Sequence, residues 1–317
     1  MKILISGIHG FVGSNLVHAL KGEHEIFGLD IVAPEKEGVK KTFSWDDLDA
    51  DRIPPVDAII HLAGKAHDTK NKAGAEVYFK VNTDLTKKIF DYFSSKPEIR
   101  KFIFFSSVKA AVDKVPGDVL TEDVTPCPVG PYGESKVKAE EYILKNLKEE
   151  SVKYEDKDVV ILRPCMIHGP GNKGNLNLLY GFVKKGLPWP LGAFENKRTF
   201  TSIDNLTFVI SGLLNRSIES GIYNMADDRA LSTNELIQTM CAAMGKKANI
   251  WRISKGLINF GAKTGDILHL PLNSFRLQKL TENYVVSNAK LKKALGIDKM
   301  PVDPIDGLTL TIKSFEK

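Results

Sequence analysis

The stretch that most constrains this chain lies at its start, "KILISGIHGFVGSNLVHALKG". "KILIS" reads as a buried strand, and "FVGSNLVHALKG" places apolar residues at helical spacing before a terminal glycine. Between them stand Gly7, Gly10 and Gly13, one glycine in every three residues. Such a turn must bend tightly, let a phosphate approach the backbone, and let the helix pack close to the sheet. Each task needs a missing side chain, and the helix N-terminus favours the phosphate's charge. The spacing is GxxGxxG rather than GxGxxG, and a plain structural turn is the competing reading. The strand–turn–helix context favours the cofactor turn. Because glycines interrupt the run and no small-residue cleavage site follows, it does not read as a secretion signal.

The first half continues in the same rhythm. "HEIFGLD", "DAIIHLA", "KFIFFSS" and "DVVILRP" are apolar along their length, and helical stretches such as "EVYFKVNTDLTKKIFDYFSS" and "YGESKVKAEEYILKNLK" separate them. Strands of this kind belong to a parallel sheet covered on both faces, with ligands at the strands' carboxyl ends. After Pro164 the texture turns Gly-, Pro- and Asn-rich, as in "HGPGNKGN" and "KKGLPWPLGAFENKR". "NLTFVISGLLNR" and "GIYNMA" then read as a returning helix and strand. The expected fold is α/β, a Rossmann-type doubly wound parallel sheet with a smaller C-terminal substrate-binding lobe. The expected units are residues 1–165 with 203–226 returning to them, and a lobe of 166–202 and 227–317.

Composition narrows the function classes. With 43% hydrophobic and 26% charged residues among 317, this is an ordinary soluble globular chain. The net charge of +5 suits an anionic ligand, and the basic residues read as spread along the chain, so no nucleic-acid partner is expected. Cys127, Cys165 and Cys241 lie far apart, which gives neither a disulfide framework nor a zinc site and suits a reducing cytoplasm. No segment reaches the ~18 uninterrupted apolar residues of a membrane span, and no membrane partner is expected.

Three residue sets carry chemistry. Asp30 closes the second strand, 20 residues after Gly10, where a carboxylate accepts ribose hydroxyls and repels a 2′-phosphate. Asp46 or Asp47, in "SWDDLD", is a weaker candidate for an adenine amino group. Ser106 and Ser107 end a strand at the ligand edge, and Tyr132 opens the helix that follows "TPCPVGP". Tyr132 and Lys136 share a helix face, but so do Tyr92 with Lys96 and Tyr180 with Lys184. Only Tyr132 has a serine, a lysine and a nucleotide turn converging on it. Removing a hydride from an alcohol carbon requires its hydroxyl proton to leave as well. A phenol of pKa ~10 is a poor base at neutral pH unless a cation such as Lys136 lowers that value. Ser107 is placed to hydrogen-bond the substrate oxygen.

"GxxGFVG" with Asp30, "HLAG", Asn82, "SS", "YGESK" and "RP…HGPG" together resemble the extended short-chain dehydrogenase/reductase family over nearly the whole chain. The second lobe is similar to nucleotide-sugar 4-epimerases and 4-ketoreductases of bacterial surface-polysaccharide synthesis. The resemblance implies Ser107, Tyr132 and Lys136 as the catalytic set. It implies NAD bound across Gly7, Gly10, Phe11, Val12, Gly13 and Asp30, with Asp47, Leu62, Ala63, Asn82, Tyr132, Lys136 and Pro164 lining the site. Ser107, Asn175, Arg198 and Arg276 would contact the nucleotide-sugar substrate, and Lys173 belongs to a basic loop suited to its diphosphate. No metal is implied.

Met166 and His168 depart from the pattern, standing where many sugar epimerases carry Asn and Tyr. The related 4,6-dehydratases use Asp-Glu after their active-site hydroxyl residue; Val108 and Lys109 occupy those places, which removes the acid and base of that reaction. His61 reads as a satisfied core residue or one that supports the site from behind, and His67 either reaches the sugar pocket or is a plain loop histidine. The expected activity is NAD-dependent epimerisation at C4 of a UDP-hexose or UDP-N-acetylhexosamine through a 4-keto intermediate. The alternatives are a 4-ketoreductase of a UDP-4-keto-6-deoxy sugar and a catalytically silent NAD-binding regulator. The intact Ser107, Tyr132 and Lys136 set argues against the regulator. A homodimer is expected, and the apolar faces of the helices bearing Asn82 and Tyr132 are either its surface or intrachain packing, which sequence does not separate.

Overall fold

A computed structural model describes residues 1–65, 74–172, 174–268 and 273–316. Among them, a seven-stranded sheet comprises β1 (Lys2–Ser6), β2 (Glu25–Leu29), β3 (Val39–Phe43), β4 (Ala58–His61), β5 (Lys101–Phe105), β6 (Asp158–Pro164) and β9 (Gly221–Met225). The order is β3-β2-β1-β4-β5-β6-β9, and every neighbouring pair is parallel. Strand order reverses between β1 and β4, so the crevice outside their carboxyl ends is the switch point where ligands bind in such sheets.

The continuous apolar runs follow from burial on both faces. Ile3, Ile5, Ile60, Val160 and Leu162 point into one core, against the helices Phe11–Leu20 and Ile203–Asn215. Their neighbours Leu4, Ile59, Val159 and Ile161 point into the other, with Phe90 and Phe93 of helix Leu85–Ser95 and Ile143 of helix Pro131–Glu149. Successive strand side chains alternate faces, so a strand covered twice must be apolar at every position. Phe90, Phe93 and Phe102 are fully buried, with ring centroids 5.2 Å apart in two of their pairs. Truncating any one of them to alanine costs about 3–5 kcal/mol.

The lobe has its own core, in which Leu176, Trp189, Leu231, Met240 and Leu308 pack together. A two-stranded parallel sheet of β7 (Met166–His168) and β8 (Phe200–Ser202) joins it to the larger sheet. Ile203–Asn215 and β9 return to the large sheet. The chain crosses the expected lobe boundary once more, because Leu291 and Leu295 of helix Ala289–Leu295 pack into the core beside β9.

Two local features differ from the sequence reading. "VKKTF" forms the edge strand β3, whose two consecutive lysines are exposed; charges of this kind protect a sheet edge but hide the strand from a search for apolar runs. The helix expected through residues 76–95 contains a π-helical segment, Phe79–Asp84, between Ala75–Tyr78 and Leu85–Ser95. Such insertions are frequent at functional sites, and this one carries Asn82.

Candidate active site

The glycine turn sits at the switch point. Gly7 has φ +70°, and a Cβ there would lie 2.8 Å from the backbone nitrogen of Ala63, so the turn after β1 and the loop after β4 touch backbone to backbone. At Gly13 a Cβ would meet the Gly7 carbonyl oxygen at 2.5 Å, which is how the missing side chain seats the helix on the turn. Gly10 differs: a Cβ there would meet nothing but the Gly7 oxygen at 3.1 Å, so its outer side is open to a ligand. Phe11 and Val12 begin the helix over this opening. Ser6 Oγ accepts from Leu62 N and Ala63 N at 3.1 and 3.2 Å, which fixes the facing loop. Pro164 ends β6, paired with Met225.

Asp30 follows β2, and its carboxylate accepts from His9 N at 3.1 Å and Ile31 N at 2.8 Å. It is thereby fixed beside the glycine turn. The switch-point turn, the open face at Gly10 and a carboxylate ending β2 fit NAD, with pyrophosphate at the helix N-terminus and ribose at Asp30. Asp47 has a local use the sequence reading did not foresee. It closes a capping box with Ser44 at the start of helix Trp45–Asp49 and receives Arg52 Nη1 at 3.3 Å.

The catalytic candidates converge at the carboxyl ends of β5 and β6. Ser107 caps the short helix Val108–Ala111, and its Oγ accepts from Lys109 N at 3.2 Å. Tyr132 opens Pro131–Glu149, is hydrogen-bonded to Ser107, and meets Tyr78 edge-on at 6.4 Å. Lys136, one turn along, is buried and donates from Nζ to the Phe105 carbonyl at 2.7 Å. Burial pushes its pKa down from 10.5 to about 8, with Glu140 opposing. The phenol behaves differently from expectation. Burial raises the Tyr132 pKa, and it is the Ser107 hydrogen bond, not Lys136, that opposes the rise. The Lys136 amine is directed to the Phe105 carbonyl instead.

The other two Tyr–Lys pairs lie elsewhere. Lys96 sits over the Tyr92 ring at 5.4 Å and pairs with Asp51, and burial pushes Tyr92 up to about 12. Tyr180 packs against Phe315 in the lobe core.

Asn82 is fully buried and acts as a brace. Its Oδ1 accepts from Lys65 N at 2.7 Å, and its Nδ2 donates to Lys65 O and to Ser135 Oγ. It ties the loop after β4 to the helix carrying Tyr132 and Lys136. A Cβ on Gly64 would lie 3.0 Å from Asn82 Oδ1 and 3.2 Å from Lys136 Nζ, so this loop has no room for a side chain. His61 is the satisfied core residue expected: Nδ1 meets Ser6 Oγ at 2.6 Å and Nε2 meets Thr86 Oγ1 at 2.9 Å. Its burial holds the imidazole pKa well below the ordinary value.

A second layer under the site was missed by sequence reasoning. Glu140 accepts from Ser106 Oγ and from both Nε and Nη2 of Arg163, and both charged side chains are about 1% exposed. The signal was present: Glu140 is one turn beyond Lys136 and two beyond Tyr132 on the same face.

On the lobe side, Arg198 Nη2 donates to Lys279 O at 2.6 Å and to Glu282 Oε1 at 3.0 Å. Its guanidinium is thus already engaged within the lobe. Arg276 lies exposed on helix Ser274–Thr281. Asn175 begins helix Asn175–Lys184, while its side chain, together with His67 and Lys173, lies outside the described residues. Met166 is partly exposed at the start of β7. His168 is buried, with Nδ1 at 2.9 Å from Thr311 Oγ1, and serves packing between β7 and the C-terminal helix. No group of His, Cys, Asp and Glu suited to a metal occurs among the described residues.

The chain is similar to known proteins. The chain is 30% identical to a UDP-glucose 4-epimerase of Vibrio cholerae over 77% of its own length and 76% of that protein's. It is 26% identical, over 92% of the chain and 85% of the relative, to an N-acetyl-alpha-D-glucosaminyl-diphospho-ditrans,octacis-undecaprenol 4-epimerase of Escherichia coli. The solved UDP-N-acetylglucosamine 4-epimerase of Bacillus cereus superposes with a TM-score of 0.75 at 19% identity, covering 100% of this chain and 99% of that one, which shows the shared fold. Residues 3–226, from β1 through β9, match the NAD dependent epimerase/dehydratase family. With its glycine turn, its Asp30 and its serine–tyrosine–lysine cluster, the chain belongs to that family and is an NAD-dependent enzyme.

Proposed function

We propose that the protein interconverts C4 epimers of a UDP-linked hexose or N-acetylhexosamine through a 4-keto intermediate. The observation that carries this reading is the Ser107–Tyr132 hydrogen bond beside the buried Lys136 amine, at the mouth of the switch-point crevice. Tyr132 Oη takes the proton of the C4 hydroxyl and later returns it, and Ser107 Oγ holds the same oxygen. NAD, when bound, supplies the hydride acceptor and donor. Lys136 gives the positive charge that favours the phenolate once the charged nicotinamide is also present.

The substrate's diphosphate is assigned to the lobe, with Arg198, Asn175 and Arg276 as its contacts. Binding energy spent on that remote group leaves the sugar ring less tightly held, and epimerisation needs a ring able to present either face. The names of the relatives support a glycosyl diphosphate as the recognised unit, carried by a nucleoside in one and by a polyprenol in the other. A cytoplasmic site, a homodimer and a role in surface-polysaccharide synthesis belong to the same proposal.

The second reading is a 4-ketoreductase, favoured by 28% identity over 76% of the chain to a GDP-6-deoxy-D-talose 4-dehydrogenase of Aggregatibacter actinomycetemcomitans. The two are separated by incubating purified protein with UDP-GlcNAc or UDP-GalNAc without added cofactor and analysing the sugars. Interconversion is expected. No interconversion, with NADH consumption on a UDP-4-keto-6-deoxy sugar, would transfer the assignment to the reductase.

A further inference from the structure

We propose that the outer face of the lobe helices Lys255–Leu268 and Ser274–Thr281 docks on an anionic phospholipid bilayer. The first observation is a stripe of uncovered apolar side chains. Leu257, Phe260, Ile267 and Leu268 on the first helix and Phe275 on the second are each 61–76% exposed. At 100° per residue, the four on the first helix fall within one arc of about 100°. The face that meets the lobe core is a different one, formed by Ile258, Ala262 and Gly265. The third face carries Lys255, Asn259, Lys263 and the carboxylate of Asp266. A helix needs one apolar face to hold it on a protein; this one has two.

The second observation is charge. Residues 246–281 hold seven Lys and Arg (Lys246, Lys247, Arg252, Lys255, Lys263, Arg276 and Lys279) against the single carboxylate of Asp266. The whole chain has 44 Lys and Arg against 39 Asp and Glu, so this segment accounts for the entire excess. The excess of basic residues is therefore concentrated in this segment, which corrects the first reading of them as spread along the chain. Asp266 is held as a carboxylate by Ser274 N at 2.9 Å and Ser274 Oγ at 2.6 Å, and Lys279 is paired with Asp113 at 2.8 Å, which leaves six Lys and Arg against that one carboxylate. Trp251, half exposed, precedes Arg252 at the edge of the segment. Aromatic and aliphatic side chains beside a basic polar face are the composition of helices that lie in a membrane interface. No helix among the described residues is long and apolar enough to cross a membrane, and this helix would lie on the bilayer instead.

The third observation is position. Lys279 lies over the Phe275 ring at 5.9 Å, pairs with Asp113 beyond Ser107, and offers its carbonyl to Arg198. The apolar stripe thus borders the side of the lobe assigned to the substrate. A bilayer-docked site suits a sugar diphosphate whose second phosphate carries a membrane alcohol, a refinement that rests on the function proposed above.

The test is co-sedimentation of the full chain with phosphatidylcholine vesicles, with and without phosphatidylglycerol, alongside turnover of soluble UDP-GlcNAc. Binding to the phosphatidylglycerol vesicles that weakens with salt is expected. Phe260→Ser with Ile267→Ser, and separately Lys255→Gln with Lys263→Gln, should each cut binding about ten-fold or more, with circular dichroism and soluble turnover unchanged. Wild-type protein that ignores the vesicles, or variants that bind as well as wild type, would overturn the proposal. So would a wild-type dimer that the Phe260→Ser, Ile267→Ser variant turns into a monomer, since the face would then belong to a second copy. Vesicle binding without turnover of any sugar diphosphate would support the docking surface and sink only the epimerase reading.

Discussion

Glu140 and Arg163 meet through two hydrogen bonds, Nε to Oε1 at 3.0 Å and Nη2 to Oε2 at 2.5 Å, with both side chains withdrawn from solvent. The pair fastens the helix that carries Tyr132 and Lys136 to β6, and Glu140 also receives the Ser106 hydroxyl. Replacing Glu140 with alanine leaves the Arg163 charge buried and uncompensated, which costs about 3–5 kcal/mol. Urea denaturation of Glu140→Ala measures this, and a loss below ~1 kcal/mol would mean that the pair does not anchor the helix.

Lys136 should leave a signature in stability against pH. Its folded pKa is near 8 and its ordinary value is 10.5. Between those values the unfolded chain binds the proton that the folded chain has released, so stability rises with pH across the window. Below about 8 the penalty of burying the ammonium is present in full; above 10.5 it has gone. Relative to Lys136→Met, the wild type should gain about 3 kcal/mol from pH 8 to 10.5. Parallel stability curves for the two proteins would show that the amine is not buried in solution.

Asp30 should make the protein prefer NAD to NADP, because a 2′-phosphate would face a fixed carboxylate. Titration with both cofactors is sufficient, and Asp30→Ala should narrow the gap. Equal or tighter NADP binding by the wild type would overturn the role given to Asp30.

Tyr132→Phe removes one hydroxyl and should keep the fold and NAD binding while lowering turnover by about 10²–10⁴. Tyr92→Phe and Tyr180→Phe act on packing residues and should leave turnover near wild type. A comparable loss in either would mean that the wrong Tyr–Lys pair has been chosen.

The sequence by itself determined the sheet, the glycine turn and the helix that carries Tyr132 and Lys136, because each is written in local order. An apolar run, a glycine in every third residue and a tyrosine four before a lysine are short-range patterns that survive without tertiary context. Even Tyr132 could be separated from Tyr92 and Tyr180 by which serine and which turn lay upstream. What the tertiary structure decided involves residues distant in sequence, or faces whose covering is not local. Glu140 with Arg163, and Asn82 with Lys65 and Ser135, are single side chains until the sheet brings them together. The sign of the Tyr132 shift needed the burial of the phenol and the direction of the Lys136 amine. Likewise, a helical apolar pattern from 257 to 268 reads as core in any sequence, and only packing shows that Ile258, Ala262 and Gly265 fill the lobe while Leu257, Phe260, Ile267 and Leu268 remain outside it.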